Sequence, residues 1–215
     1  MTPIYTNRLR VSLQQEGGRT RPLRAAHRQV QFCAIALALL LGMADVTPIW
    51  AQVNPSVEYQ AKAAFLYNFA KFVEWPPDTF PSEKSPITLC VFRYDPFGSA
   101  LDEVIAGQAL NHRRLLVQRI NELPDLKACQ LIFVSDREDK HLPEILNSLE
   151  GASALVVGET EKFAEHRGGI QFFLEKGQLR FAINVDAIQR ARLTVSSKLL
   201  AIARIVHDEP HPKGA

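Results

Sequence analysis

The chain has 215 residues, 25 basic and 23 acidic side chains, a formal net charge of +2 and 47% hydrophobic residues. That length and apolar content suit one domain with a sizeable core and exclude a disordered chain. A charge so close to zero also excludes a polybasic nucleic-acid binder.

The charge is unevenly spread. Arg8, Arg10, Arg19, Arg21, Arg24 and Arg28 crowd the first 29 residues, where Glu16 is the one acid. An apolar run from Phe32 to Met43 follows, and Ala51 precedes Gln52. Basic stretch, short apolar core and small residue together predict a secretory signal peptide over residues 1–51, hence a periplasmic protein. The run is about twelve residues, against the roughly 20 that span a bilayer. An uncleaved N-terminal anchor is the alternative. Removing the six arginines and two acids of this segment leaves 19 basic against 21 acidic residues. The exported part is mildly acidic, and no nucleic-acid partner is expected. Residues 52–206 read as a single domain and 207–215 as a disordered tail.

The first predicted element is a helix from Val57 to Trp75. At 100° per residue Tyr59, Ala63, Leu66, Phe69, Ala70 and Val73 share one side, widened by Phe65 and Phe72. Gln60, Tyr67, Asn68, Lys71 and Glu74 fall opposite. Ser56 takes the N-cap position, Glu58 and Lys62 are spaced for an i,i+4 pair, and Pro76-Pro77 end the helix. A proline-rich loop leads to Pro86. Ile87–Phe92 reads as a buried strand, and Asp95-Pro96-Phe97-Gly98 turns into a helix over Ser99–Ile105. Strands follow at Leu115–Ile120 and Leu131–Val134. A helix capped by Ser135 or Asp136 runs to about Leu149, and Gly151 ends it. Ala154–Val157 is a short strand, Thr160–Glu165 a helical turn, and Gly168-Gly169 a sharp bend. Ile170–Leu174 and Leu179–Ile183 flank a hairpin turn. A last helix spans Ser196–His207. Strands alternating with helices predict an α/β fold: a single layered domain with a mostly parallel sheet, one antiparallel hairpin and flanking helices.

The residues offer little catalytic apparatus. There is no G-x-S-x-G and no C-x-x-C. Val157-Gly158-Glu159-Thr160 and Gly168-Gly169 do not make a phosphate cradle. The histidines lack metal spacing apart from His207 and His211 in the tail. No catalytic residue, cofactor or metal is therefore expected. Cys90 and Cys129 sit in strand-like runs, and an exported chain meets an oxidising compartment, so a disulfide is expected over two separate buried thiols. Arg180 and Asn184 lie four apart on one strand face, and Ser197-Lys198 open the next helix. They form either a polar network tying strand to helix or a ligand or partner pocket. Lys71 and Glu74 default to a solvated helix face. Phe172 and Phe173 must point to opposite sides of their strand, so either both faces are core or one ring marks an interface.

Taken in order, EYQAKAAFLYNFAKFVEWP, Cys90 in ITLCVF, Asp95-Pro96-Phe97-Gly98, Cys129 in CQLIFVS, Gly168 to Phe172, Arg180 to Asn184 and Ser196 to Leu200 resemble the YfiR family of small periplasmic regulators. The resemblance spans about residues 57–206. It implies a bridge at the Cys90/Cys129 spacing, a homodimer, and no reaction of its own. It also implies a partner: the periplasmic sensor region of an inner-membrane diguanylate cyclase, which such proteins inhibit, so lowering cyclic-di-GMP and restraining biofilm formation. An outer-membrane lipoprotein can titrate them away. One branch carries a second cysteine pair that this chain lacks, and Ala182 stands where an acid is frequent. Lys71, Glu74, Arg180, Asn184, Ser197 and Lys198 are the partner- or ligand-binding candidates. The rival reading is a periplasmic small-molecule sensor serving a histidine kinase or transporter.

Overall fold

Residues 55–209 are described by the computed structural model. The segment expected to be a signal peptide, His211 and the end of the expected tail lie outside the described residues. Helix α1, Pro55–Phe72, buries Ala63, Leu66, Phe69 and Ala70 as its periodicity predicts. It stops before Trp75. Val73–Glu74 (β1) leave the helix and pair antiparallel with Thr194–Val195 (β9), while Ser196 N donates to the Phe72 carbonyl at 2.9 Å. The residues before a proline avoid the helical region, and here a second strand is waiting to take their hydrogen bonds. The helix also begins at Pro55, so Ser56 lies inside it and not at its cap.

The large sheet comprises β2 (Ile87–Phe92), β3 (Ala109–Leu110), β4 (Arg113–Ile120), β5 (Leu131–Val134), β6 (Leu155–Gly158), β7 (Ile170–Glu175), β8 (Gln178–Asn184) and β10 (Arg204–Val206). Their order is β10-β8-β7-β6-β5-β2-β4-β3. β4, β2, β5, β6 and β7 run parallel, as the sequence predicts, and β7–β8 form the expected antiparallel hairpin. Its turn is Lys176-Gly177, both at positive φ (52° and 74°), the twist a two-residue hairpin requires. A second, unforeseen hairpin folds β3 onto β4 through Asn111 and His112.

Central strands alternate between two apolar layers. Leu89, Val91, Leu131, Phe133, Leu155, Val157, Phe172 and Phe181 face α1 and α2 (Ala100–Ile105). Cys90, Phe92, Ile132, Val134 and Val156 face the other way, against Phe163 and α3 (Leu142–Ser148). Burial on both sides explains the unbroken apolar runs of these strands. The predicted helix over 135–149 divides into a 3₁₀ segment, Asp136–His141, and α3. Thr160–Glu165 is a run of turns whose Phe163 ring sits between two glycines. A Cβ on Gly158 or Gly168 would lie 2.3 or 2.2 Å from that ring.

The disulfide forms, joining Cys90 of β2 to Cys129 just before β5, with Cα atoms 5.9 Å apart. The last predicted helix is corrected. Only Ser197–Leu200 (α5) is helical, and Arg204–Val206 instead becomes β10, parallel to β8. The edge of β8 needs backbone partners, and the β-branched pair Ile205-Val206 favours supplying them. Part of the supposed tail is also tied down. Asp208 accepts from Asn184 Nδ2 at 2.7 Å and pairs with Arg190 of α4 (Val185–Arg190), and Glu209 N donates to the Glu165 carbonyl at 3.1 Å.

Candidate functional site

Parallel strands β5 and β6 end at Val134 and Gly158, and the chain leaves them through Ser135-Asp136 and Glu159-Thr160. This carboxyl edge, where ligands settle in open α/β sheets, lies beside the first turns of α1. Lys62, only 4% exposed, places its Nζ 2.5 Å from Glu58 Oε1 and 2.5 Å from Glu159 Oε2. Tyr59 donates its hydroxyl to Glu159 Oε1 at 3.0 Å, and the Asp136 backbone N–H reaches the same oxygen at 3.3 Å. The ammonium also lies 4.4 Å over the Tyr59 ring. Burial first, then the charge and hydrogen bond of Glu159, push the Tyr59 phenol well above its ordinary range, so it remains a donor.

Two carboxylates against one ammonium give this shelf a residual negative charge. The Glu58–Lys62 pair was legible as an i,i+4 spacing. The share of Glu159 was not, because 97 positions separate it from Lys62. The shelf forms one wall of a cleft of about 510 Å³, with Phe173, Leu174 and Leu179 on the other side. Every amine and carboxylate of the shelf already holds a partner, an arrangement that selects charge and does not activate a nucleophile.

The six predicted residues divide. Lys71 and Glu74 are exposed at the end of α1 and in β1, and Ser197 and Lys198 are exposed at the start of α5. The β1–β9 ladder and the Ser196–Phe72 hydrogen bond bring these four to one end of the domain. Ser196, not Ser197, is the cap, its Oγ accepting from Lys198 N at 3.3 Å. Arg180 is exposed and donates to Gln178 Oε1 at 2.9 Å. Asn184 is fully buried. Its Nδ2 donates to the Ala164 carbonyl at 2.5 Å and to Asp208, and its Oδ1 accepts from Ala187 N at 2.9 Å, capping α4. The expected strand-to-helix network therefore does not join Arg180 and Asn184 to Ser197 and Lys198. Asn184 ties β8 to α4 and to the C-terminal strap. The aromatic question also resolves: Phe172 is core, its ring 5.5 Å from Phe69, whereas Phe173 is half-buried beneath the Arg204 guanidinium at 4.1 Å.

A family model described as YfiR/HmsC-like matches residues 59–204, which take in this cleft apart from Glu58 and the sheet as far as the start of β10. The chain belongs to the YfiR/HmsC-like family. That family is a regulatory one, linked to diguanylate cyclase signalling. Among solved structures, one described as an ABC domain in complex with L-Trp from Streptococcus pneumoniae shares 10% identity over 67% of this chain and 60% of its own, with a TM-score of 0.44. A conserved domain protein from Vibrio cholerae shares 10% identity over 68% of this chain and 59% of its own, with a TM-score of 0.45. The chain thus spans about three fifths of each, and neither likeness informs the site. Among the described residues no helix is long and apolar enough to cross a membrane, and no cluster of three or more His, Cys, Asp or Glu could hold a metal ion.

Proposed function

We propose that this YfiR/HmsC-like protein is an exported, non-catalytic regulator that binds the periplasmic sensor region of an inner-membrane diguanylate cyclase and holds it inactive, lowering cyclic-di-GMP. The family match over residues 59–204 carries the reading. The cleft supports it, because its buried ammonium, Lys62, is locked between Glu58 and Glu159, which suits recognition better than turnover. The signal segment over residues 1–51 and the Cys90–Cys129 bridge fit an exported protein. Homodimer formation, and release by an outer-membrane lipoprotein, belong to the same proposal. Lys71, Glu74, Ser197 and Lys198 form one candidate contact surface, and Arg180 a separate one.

The test is capture: oxidised protein, residues 52–215, is used as bait on membrane extract of the native cell. Recovery of a GGDEF-type cyclase, abolished by denaturing the bait, supports the reading. Recovery of a histidine kinase or transporter transfers it to a small-molecule sensor, a role favoured by the 510 Å³ cleft. In that case a metabolite would raise the melting temperature by mass action.

A further inference from the structure

Pairing between β6 and β7 stops at Gly158↔Gln171, yet β7 continues to Glu175. Beyond Gln171 it has β8 on one side and, among the described residues, no strand on the other. The Asn184 N–H bonds the Gly169 carbonyl at 2.9 Å, which sets the alternation of this antiparallel pair. Counting along from it, the backbone N–H and C=O of Leu174 turn away from β8, into the cleft. No other described segment gives them a backbone partner. The Leu174 side chain is 52% exposed. An open strand edge beside an apolar side chain is the geometry that accepts a further strand.

We propose that this edge is a docking groove for an extended segment of a partner protein, which adds to β7 as a strand and carries Lys or Arg side chains. Charge selects the occupant. The cleft presents Glu58, Asp136, Glu159 and Glu161 against one ammonium, that of Lys62. Asp136 and Glu161 are exposed and, among the described residues, have no basic partner. They are free to meet an incoming cation. An added strand projects alternate side chains to each face, so a segment alternating basic and apolar residues can satisfy carboxylates and Leu174 together. Residues 44–54 of this chain, which lead into α1, contain no basic side chain and include Pro48, so their chemistry does not match the groove. The inference stands apart from the identity of any cyclase, since it defines the occupant by backbone and charge.

The probes are three labelled decapeptides: one alternating lysine and valine, one alternating glutamate and valine, and a lysine version N-methylated at every second residue. Fluorescence anisotropy with the exported protein reads binding, and amide exchange reads Leu174. The lysine peptide binds at least tenfold more tightly than either control and slows exchange of the Leu174 amide. The double charge reversal Asp136→Lys/Glu161→Lys, at two exposed positions that leave the circular dichroism unchanged, weakens it at least tenfold. Absent binding, binding indifferent to N-methylation, or binding indifferent to the charge reversal overturns the proposal. So does a Leu174 amide already protected in the free protein, which would place another occupant there; sedimentation then separates a second copy from the chain's own N-terminal segment.

Discussion

Lys62 Nζ lies 2.5 Å from Glu159 Oε2, joining the second turn of α1 to the loop after β6. Their side chains are 5% and 7% exposed, and the cost of burying both charges is offset by this pair together with Glu58, which is also 2.5 Å from Nζ. Removing one partner of such a pair leaves a charge stranded and typically costs about 3–5 kcal/mol, more than the pair itself contributes. Lys62→Ala should therefore destabilise the domain by roughly 3 kcal/mol in urea unfolding. Lys62→Met combined with Glu159→Leu should cost less than Lys62→Ala alone.

Tyr59 supplies a pH signature for the same shelf. Its folded pKa is raised above the unfolded value of 10.0, chiefly by burial and then by Glu159. A group raised on folding contributes stability in full below the unfolded pKa and loses it as pH rises beyond. Stability should thus fall above about pH 10, and Tyr59→Phe should flatten that fall. Absorbance at the phenolate band should also show one tyrosine fewer ionising in the native protein.

Cys90 and Cys129 enclose 39 positions of chain. In the chain-entropy model a loop of that size contributes up to about 4 kcal/mol. The oxidised protein should show no free thiol until reduced. Cys90→Ala/Cys129→Ala should lower the urea midpoint with a loss no larger than that figure. Two titratable thiols in native protein would contradict the bridge.

Asn184 and Arg180 share a strand face but should respond differently to mutation. Asn184→Ala removes two buried hydrogen bonds and one part-buried bond to Asp208, and should cost roughly 2–3 kcal/mol, loosening the strap at Asp208 and exposing it to carboxypeptidase. Arg180→Ala, at an exposed site, should change stability by less than about 0.5 kcal/mol. A loss of partner binding on Arg180→Ala therefore reads as a lost contact, whereas the same loss on Asn184→Ala reads first as damage to the fold. Calorimetry run beside the binding assay separates the two.

Gly158 and Gly168 should resist enlargement because the Phe163 ring fills the space where a Cβ would go. Gly158→Ala should destabilise by roughly 1–3 kcal/mol through overpacking, and Phe163→Leu should partly relieve it. An unchanged melting temperature for Gly158→Ala would show that the ring can move aside.

The strap provides an acid-side counterpart. Asp186, half-buried, is held below the usual carboxylate range by the Asp208 backbone N–H and then by His207, and Glu209 by Lys162. Their depressed values mean that the contribution is present above the unfolded pKa and lost as pH falls through the folded one. The protection of the His207–Glu209 amides, taken relative to the intrinsic exchange rate at each pH, should therefore fall below about pH 4 before the sheet is affected.

Local pattern by itself determined much of this molecule. The wide apolar face of α1, the unbroken runs Ile87–Phe92 and Leu131–Val134, and the turn residues around Lys176-Gly177 each encode their element through neighbours in sequence. The α/β layering and the i,i+4 pairing of Glu58 with Lys62 follow from the same periodicities. Tertiary structure decided what depends on a partner far along the chain. Arg204–Val206 has an apolar spacing that fits a helix, but the open edge of β8 drew it into a strand. Val73-Glu74 left α1 because β9 was there to receive them. The cleft depends most on distant partners. Glu159 carries no local motif, and the free edge at Leu174 exists because β6 ends four residues short of β7's reach. Hydrogen bonds and ion pairs between residues some hundred positions apart leave no periodic trace in the chain, so only the folded sheet brings Glu159, Lys62 and Leu174 to one place.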